Sequence, residues 1–118
     1  MAEQTALGQI EISPTAIATI AAQSVTQAYG VVGLATKNLA DSVARALSGD
    51  THRGVIVTVN GERIEIDLYV IIEYGTRIAS VAASVQNLVR FNVEKALGVP
   101  VTAINVHVQA LRVSSTDL

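Results

Sequence analysis

Residues 63–74 read Arg-Ile-Glu-Ile-Asp-Leu-Tyr-Val-Ile-Ile-Glu-Tyr, and this stretch constrains the fold more than any other. Aliphatic side chains occupy every second position from Ile64 to Ile72, and the positions between them are mostly charged or polar. Because side chains on a strand alternate between faces, the spacing predicts a long strand with one buried face. Tyr69 and Ile71 interrupt the polar series, so we expect the outer face of this strand to meet another surface.

Length, charge and cysteine count exclude several classes of protein and of binding site. The chain has 118 residues, of which 50% are apolar, and this length suits one domain spanning residues 1–118. A net charge of -2 with scattered basic residues argues against a nucleic-acid partner. The absence of cysteine excludes disulfides and thiolate metal sites and fits a cytoplasmic location. The first residues lack the basic and apolar segments of a signal peptide.

An uncharged run separates Glu11 from Lys37 and is 25 residues long, about the length that spans a bilayer. Polar residues and glycines, among them Gln23, Gln27 and Gly30, interrupt its apolar character. We therefore expect no direct membrane insertion, and instead a helix that is buried or faces another protein.

The rest of the chain alternates between strand and helix patterns. The predicted strands cover residues 7–12, 31–36, 55–60, 62–74 and 101–112, and the predicted helices cover 14–28, 38–47 and 76–97. Ser13 before Pro14 is typical of a helix start, Asn60-Gly61 of a two-residue hairpin turn, and Gly98 of the end of the long helix. The order β-α-β-α-β-β-α-β predicts a two-layer α/β sandwich, with a mixed sheet of about five strands and two main helices on one face.

The last predicted strand should also alternate. Its spacing places Ile104, Val106, Val108 and Ala110 inward, with Asn105, His107 and Gln109 outward.

Catalytic patterns are weak. Glu65 and Asp67 share a strand face about 7 Å apart, a spacing that could serve glycoside hydrolysis, but nothing in the sequence encloses that face. His52 and His107 lack a second ligand at metal-binding spacing. The Gly30-Val-Val-Gly33 run matches an RNA-binding GxxG loop in letters but has no polar centre. We predict no catalytic residue, no metal, no cofactor and no nucleic-acid partner.

Two helices carry residues that do not fit a simple amphipathic pattern. On the long helix, Asn92 falls within the apolar stripe, where it is expected to bond a backbone group, and Phe91 falls on the polar side. Phe91 is either covered within the domain or contacts a partner. The first helix has a small, neutral outer face, which favours close packing against a second copy.

These observations define a candidate interaction surface. Its members are Glu65, Asp67, Tyr69, Ile71, Glu73, Asn105 and His107 on the sheet, Thr19, Gln23 and Thr26 on the first helix, and Phe91 on the long helix.

Several segments together resemble a known family. They are Gly8-Gln-Ile-Glu-Ile-Ser-Pro, Gly30-Val-Val-Gly-Leu34, Ile66-Asp-Leu-Tyr-Val-Ile-Ile-Glu-Tyr-Gly75, Val85-Gln86 and Val106-His-Val-Gln109. As a set they resemble the alkaline shock protein family of bacterial envelope stress-response proteins, over about residues 8–112.

The resemblance implies a small cytoplasmic protein without enzymatic activity that self-associates and is held at the membrane by a membrane-embedded family member. An alternative that it also implies is a regulatory accessory subunit of a fatty acid kinase or another enzyme of lipid metabolism. This chain departs from the family in one respect, because its first helix carries no acidic residue.

Overall fold

The computed structural model describes residues 2–35 and 54–114. The predicted helix 38–47 and His52 lie outside the described residues. The described elements are β1 (Ala2–Thr5), β2 (Gly8–Glu11), α1 (Pro14–Thr26), β3 (Val31–Leu34), β4 (Val55–Asn60), β5 (Arg63–Glu73), α2 (Ile78–Leu97) and β6 (Ala103–Arg112). Apart from the additional strand β1 and the predicted helix 38–47, these elements follow the predicted order and form a mixed α/β sandwich, so the predicted fold class is confirmed.

The first strand of the chain was not predicted. β1 pairs with β2 as an antiparallel hairpin and the two form a separate two-stranded sheet. The main sheet consequently contains four described strands, rather than the five or so expected, because the segment around Gly8–Glu11 pairs with β1 and not with β5.

The long strand β5 is the centre of the main sheet. It pairs in parallel with β6 through residues 65–73, and antiparallel with β4 through residues 63–68 and with β3 through residues 70–72. Because β6 runs beside both of the stretches that β4 and β3 use, it must lie on the opposite side of β5 from both. Among the described strands, β6 is therefore an edge strand of the main sheet.

Both helices cover one face of this sheet, as predicted. Most of the core consists of aliphatic side chains from three elements, and Val55 of β4, Val101 just before β6 and Ile104 of β6 complete it. The three elements contribute Ile17, Ala18, Ala21 and Val25 of α1, Val81, Val85, Val89 and Val93 of α2, and Ile64, Ile66, Leu68, Val70 and Ile72 of β5. Each large buried aliphatic side chain contributes about 1.5–3 kcal/mol by leaving water. The period-two pattern of β5 thus fixes which face of the sheet the helices cover.

Local signals at the element ends act as expected. The Ser13 hydroxyl accepts a hydrogen bond from the Ala16 amide at the start of α1, and Pro14 occupies its first turn. Gly98 ends α2 in the left-handed conformation, which glycine adopts without steric cost.

The inward and outward positions predicted for β6 are wrong beyond Val108. Val108 pairs with Val70, but the next pair is Ala110 with Ile71, so Gln109 is an extra residue in a bulge. A bulge inserts one residue and reverses the facing of those that follow. Ala110 therefore shares the outer face with Ile71 instead of pointing inward, and Leu111 takes the inward register position beside Ile72.

Candidate interaction surface

A ladder of polar side chains runs along the outer face of the β5–β6 pair. The Asn105 side-chain amide donates hydrogen bonds to Glu65 Oε2 at 2.9 Å and to Asp67 Oδ1 at 3.1 Å. The same Asp67 oxygen lies 3.0 Å from His107 Nε2. The parallel register, which places Asp67 beside Asn105 and Tyr69 beside His107, brings these predicted residues together.

Tyr69 belongs to this ladder through its ring. Its ring stacks on the His107 imidazole with centroids 4.5 Å apart and planes 14° from parallel. Only 7% of Tyr69 is exposed, so it offers little area to another molecule. Its place in the candidate surface is to hold His107 in position.

Ile71 provides the apolar part of the same face. It is half-buried, with Ala110 at the adjacent register position of β6 and Gly33 at that of β3. Since glycine has no side chain, the β3 side of Ile71 has no neighbouring side chain at that position.

Glu73 closes the ladder at the C-terminal end of β5. Its carboxylate accepts hydrogen bonds from the Ser114 hydroxyl at 2.7 Å, from the Ser114 amide at 3.2 Å and from the Arg112 guanidinium at 3.2 Å. The Ser114 hydroxyl bond, with a further contribution from Arg112, lowers the pKa of Glu73 below its usual 4.5 against a smaller opposing effect of desolvation.

The helical members lie on the other layer of the sandwich. Thr19, Gln23 and Thr26 are exposed on α1. The Thr19 hydroxyl donates to the Thr15 carbonyl at 3.0 Å, and the Thr26 hydroxyl donates to the Gln23 carbonyl at 2.7 Å. The predicted residues thus occupy two separate surfaces, one on the sheet and one on the helices.

Phe91 is not covered within the described part of the domain. It is 62% exposed on α2, and the Lys95 ammonium lies 5.8 Å from its ring centroid. Of the two expectations for Phe91, burial by a neighbouring element is therefore wrong for this part of the chain.

A shallow groove of about 320 Å³ runs between the helices and is lined by Thr19, Ile20, Gln23, Ser24, Gln27 and Asn92. At its floor the Asn92 side-chain amide donates to the Ser24 hydroxyl at 2.8 Å. The expectation that Asn92 bonds a backbone group is wrong, because Ser24 on the facing helix provides a side-chain acceptor instead.

Two exposed tyrosines were not included in the predicted surface. Tyr29, which is 85% exposed, precedes Gly30, and Tyr74, which is 63% exposed, follows Glu73. The Glu73 amide donates to the Gly30 carbonyl at 2.9 Å, so both tyrosines flank the same hydrogen bond. The sequence does not show that these two tyrosines are close to each other. The pairing of β5 with the segment before β3 brings them to one end of the sheet.

The arrangement does not resemble a hydrolytic site. Glu65 and Asp67, the pair that could serve acid-base chemistry, are bridged by the same Asn105 amide on an open strand face. Among the described residues, no group of three or more His, Asp or Glu side chains is arranged to hold a metal ion. No helix of the described part is both long enough and apolar enough to cross a bilayer.

Comparison with known proteins identifies relatives along almost the whole chain. Residues 2–113 match the model of the alkaline shock protein 23 family, whose description is cell envelope-related function and names no reaction. The chain is 40% identical to the uncharacterized protein YloU of Bacillus subtilis, covering 95% of each protein. It is 36% identical to the uncharacterized protein Spy1614 of Streptococcus pyogenes serotype M6, covering 90% of this chain and 89% of the relative.

Among solved structures, the fold is similar to a domain called MamM CTD. One variant of that domain matches with a TM-score of 0.49 and 15% identity, covering 80% of this chain and 94% of the other. A second variant matches with a TM-score of 0.49 and 14% identity.

Proposed function

The chain belongs to the alkaline shock protein 23 family, and on that premise we propose that it is a non-enzymatic, self-associating interaction protein of the bacterial envelope stress response. It would act at the cytoplasmic side of the membrane through protein partners, without inserting into the bilayer.

One observation carries the proposal: the outer face of β5 and β6 is a preformed surface whose polar groups hold one another. Asn105 bridges Glu65 and Asp67, and Asp67 also contacts His107. Side chains that are already ordered lose less conformational entropy when a partner binds. Carboxylates held in this way suit recognition better than proton transfer.

The apolar component of the proposed contact comes from Ile71 on the sheet face and Phe91 on α2. Ile71 is half-buried and Phe91 is largely exposed. Because these residues lie on different layers, the two surfaces can contact two different molecules.

The test is affinity capture after crosslinking in cells, with membrane and soluble fractions kept apart. The wild-type chain is compared with Ile71→Ser and Phe91→Ser, and with Glu62→Gln in the exposed β4–β5 turn as the control. A membrane-embedded partner that is recovered with the wild type and the control, and lost with Ile71→Ser or Phe91→Ser, supports the proposal.

Equal recovery with every variant contradicts the placement of the contact. Recovery of a lipid-metabolising kinase from the soluble fraction, with a change in the rate of that enzyme, would instead favour the accessory-subunit alternative.

A further inference from the structure

The strand β6 has one edge that no described strand uses. It pairs with β5 along one side from Ala103 to Arg112, and no strand of the described part lies beyond it. An edge strand presents backbone donors and acceptors to which another chain can pair.

The contact of β6 with α2 shows which backbone groups point outward. The Ile104 carbonyl accepts a hydrogen bond at 2.9 Å from the side-chain amide of Gln86 on α2, not from β5. Alternate residues of a strand direct their backbone groups to the same side. Since the bulge begins only after Val108, the amides and carbonyls of Val106 and Val108 also point away from β5.

This edge lacks the charged and proline residues that usually prevent pairing. Natural edge strands carry charged side chains, especially lysine, or proline. From Ala103 to Leu111, β6 contains no Lys, Arg, Asp, Glu or Pro. Within the described part of the chain two features restrict this edge: the bulge at Gln109, which limits its regular part to the residues before it, and the Gln86 side chain at the Ile104 carbonyl.

We propose that the outer edge of β6 pairs antiparallel with β6 of a second copy, with Val106 on the two-fold axis. This inference rests on the self-association in the proposed function and assigns that association to one strand. The two main sheets would then continue across the axis as one sheet.

Self-complementarity favours a second copy as the occupant. With Val106 opposite itself, Asn105 of each copy faces His107 of the other on the outer face, and Ile104 faces Val108 on the inner face. The pairing opposes no like charges, and β-branched cross-strand pairs are stabilising. The polar ladders of the two copies would meet at the axis, because Asn105 and His107 both contact Asp67.

The Gln86 side chain does not block this arrangement. A carbonyl oxygen has two lone pairs, so Ile104 can accept from Gln86 and from a partner amide. Gln86 also lines a cleft of about 100 Å³ with Asn87, Arg90 and Ile104, which places α2 beside the edge where the second copy would lie.

The first test is sedimentation equilibrium of Val106→Pro against Val106→Thr. Proline removes the outward amide and is tolerated at strand edges, whereas threonine keeps the amide and the branched shape. We expect Val106→Pro to raise the dimer dissociation constant at least tenfold, and Val106→Thr to change it less than threefold, with circular dichroism confirming the fold of both.

The second test fixes the register and does not depend on how Val106→Pro folds. The chain has no cysteine, so the Asn105→Cys and His107→Cys variants each carry a single thiol. Across the proposed axis these two positions face each other at about 4.5 Å between Cα atoms, within disulfide reach. Identical positions lie about 8 Å apart from the strand rise and spacing.

We expect oxidation of a mixture of the two variants to yield the mixed disulfide dimer at least fivefold over the dimer of either variant alone. Equal yields, or an unchanged dissociation constant in a folded Val106→Pro, would overturn the β6 pairing and leave self-association standing. A wild-type mass that grows without limit would indicate open-ended pairing and also overturn the two-fold arrangement. A wild-type chain that stays monomeric would overturn the proposed function itself.

Discussion

The Asn92 side-chain amide donates a hydrogen bond to the Ser24 hydroxyl at 2.8 Å and joins α2 to α1. Ser24 is only 2% exposed, and its hydroxyl donates in turn to the Ile20 carbonyl of its own helix. The pair thus gives a polar residue on each helix a partner at the helix–helix contact.

The Asn92→Ala substitution should lower the free energy of unfolding by about 1–2 kcal/mol, because it leaves the buried Ser24 oxygen without its donor. Combined with Ser24→Ala in a double-mutant cycle, it should give a coupling energy of about 1 kcal/mol in urea unfolding. Asn87→Ala, on the exposed side of the same helix, is the control and should change stability by less than about 0.5 kcal/mol. Additive effects of the two single substitutions would contradict this role.

A second prediction concerns Gly30, which adopts a φ of +87°. A Cβ at this position would lie 2.8 Å from Val81 Cγ2, so Gly30→Ala should combine backbone strain with overpacking and cost more than about 2 kcal/mol. Gly61→Ala is the matched control, because Gly61 also has a positive φ but its Cβ would meet nothing within 4 Å. Thermal unfolding should rank Gly30→Ala well below Gly61→Ala, and adding Val81→Ala should recover only the steric part. Equal melting temperatures for the two glycine variants would show that the contact with Val81 does not destabilise Gly30→Ala.

A third prediction follows from the lowered pKa of Glu73. A carboxyl group with a lower pKa in the folded state stabilises the fold above its unfolded pKa, near 4.5, and this contribution is lost as pH falls through the folded pKa. Because the Ser114 hydroxyl bond is the largest cause, Ser114→Ala should raise the pKa of Glu73 toward its usual value. Carbon-detected NMR titration of the Glu73 carboxyl measures the change directly. An unaltered titration in Ser114→Ala would refute the assignment.

The sequence was sufficient for features that depend on local periodicity. The alternation from Ile64 to Ile72 predicted the buried face of β5, the Ser13-Pro14 pair predicted the start of α1, and Gly98 predicted the end of α2. Each of these signals depends only on residues close together in the chain, so these features can be predicted from a single sequence.

Features that depend on pairing between distant strands could not be predicted. Periodicity alone predicts that Tyr69 is available to a partner, but the parallel pairing of β5 with β6 stacks its ring on His107. The bulge at Gln109, which moves Ala110 to the outer face, has no glycine or proline to signal it. The residues of the sheet part of the candidate surface were predicted correctly as sharing one face. Which of them bond to one another could not be predicted, because it depends on the register of β6.

Self-association of the wild-type chain is the property to measure first, by sedimentation equilibrium. Concentrations from about 1 μM to about 1 mM cover moderate to weak dissociation constants. We expect a weight-average mass that rises with concentration from the monomer mass of 12.3 kDa toward twice that value. A mass that stays at 12.3 kDa across the whole range would show that the chain does not self-associate.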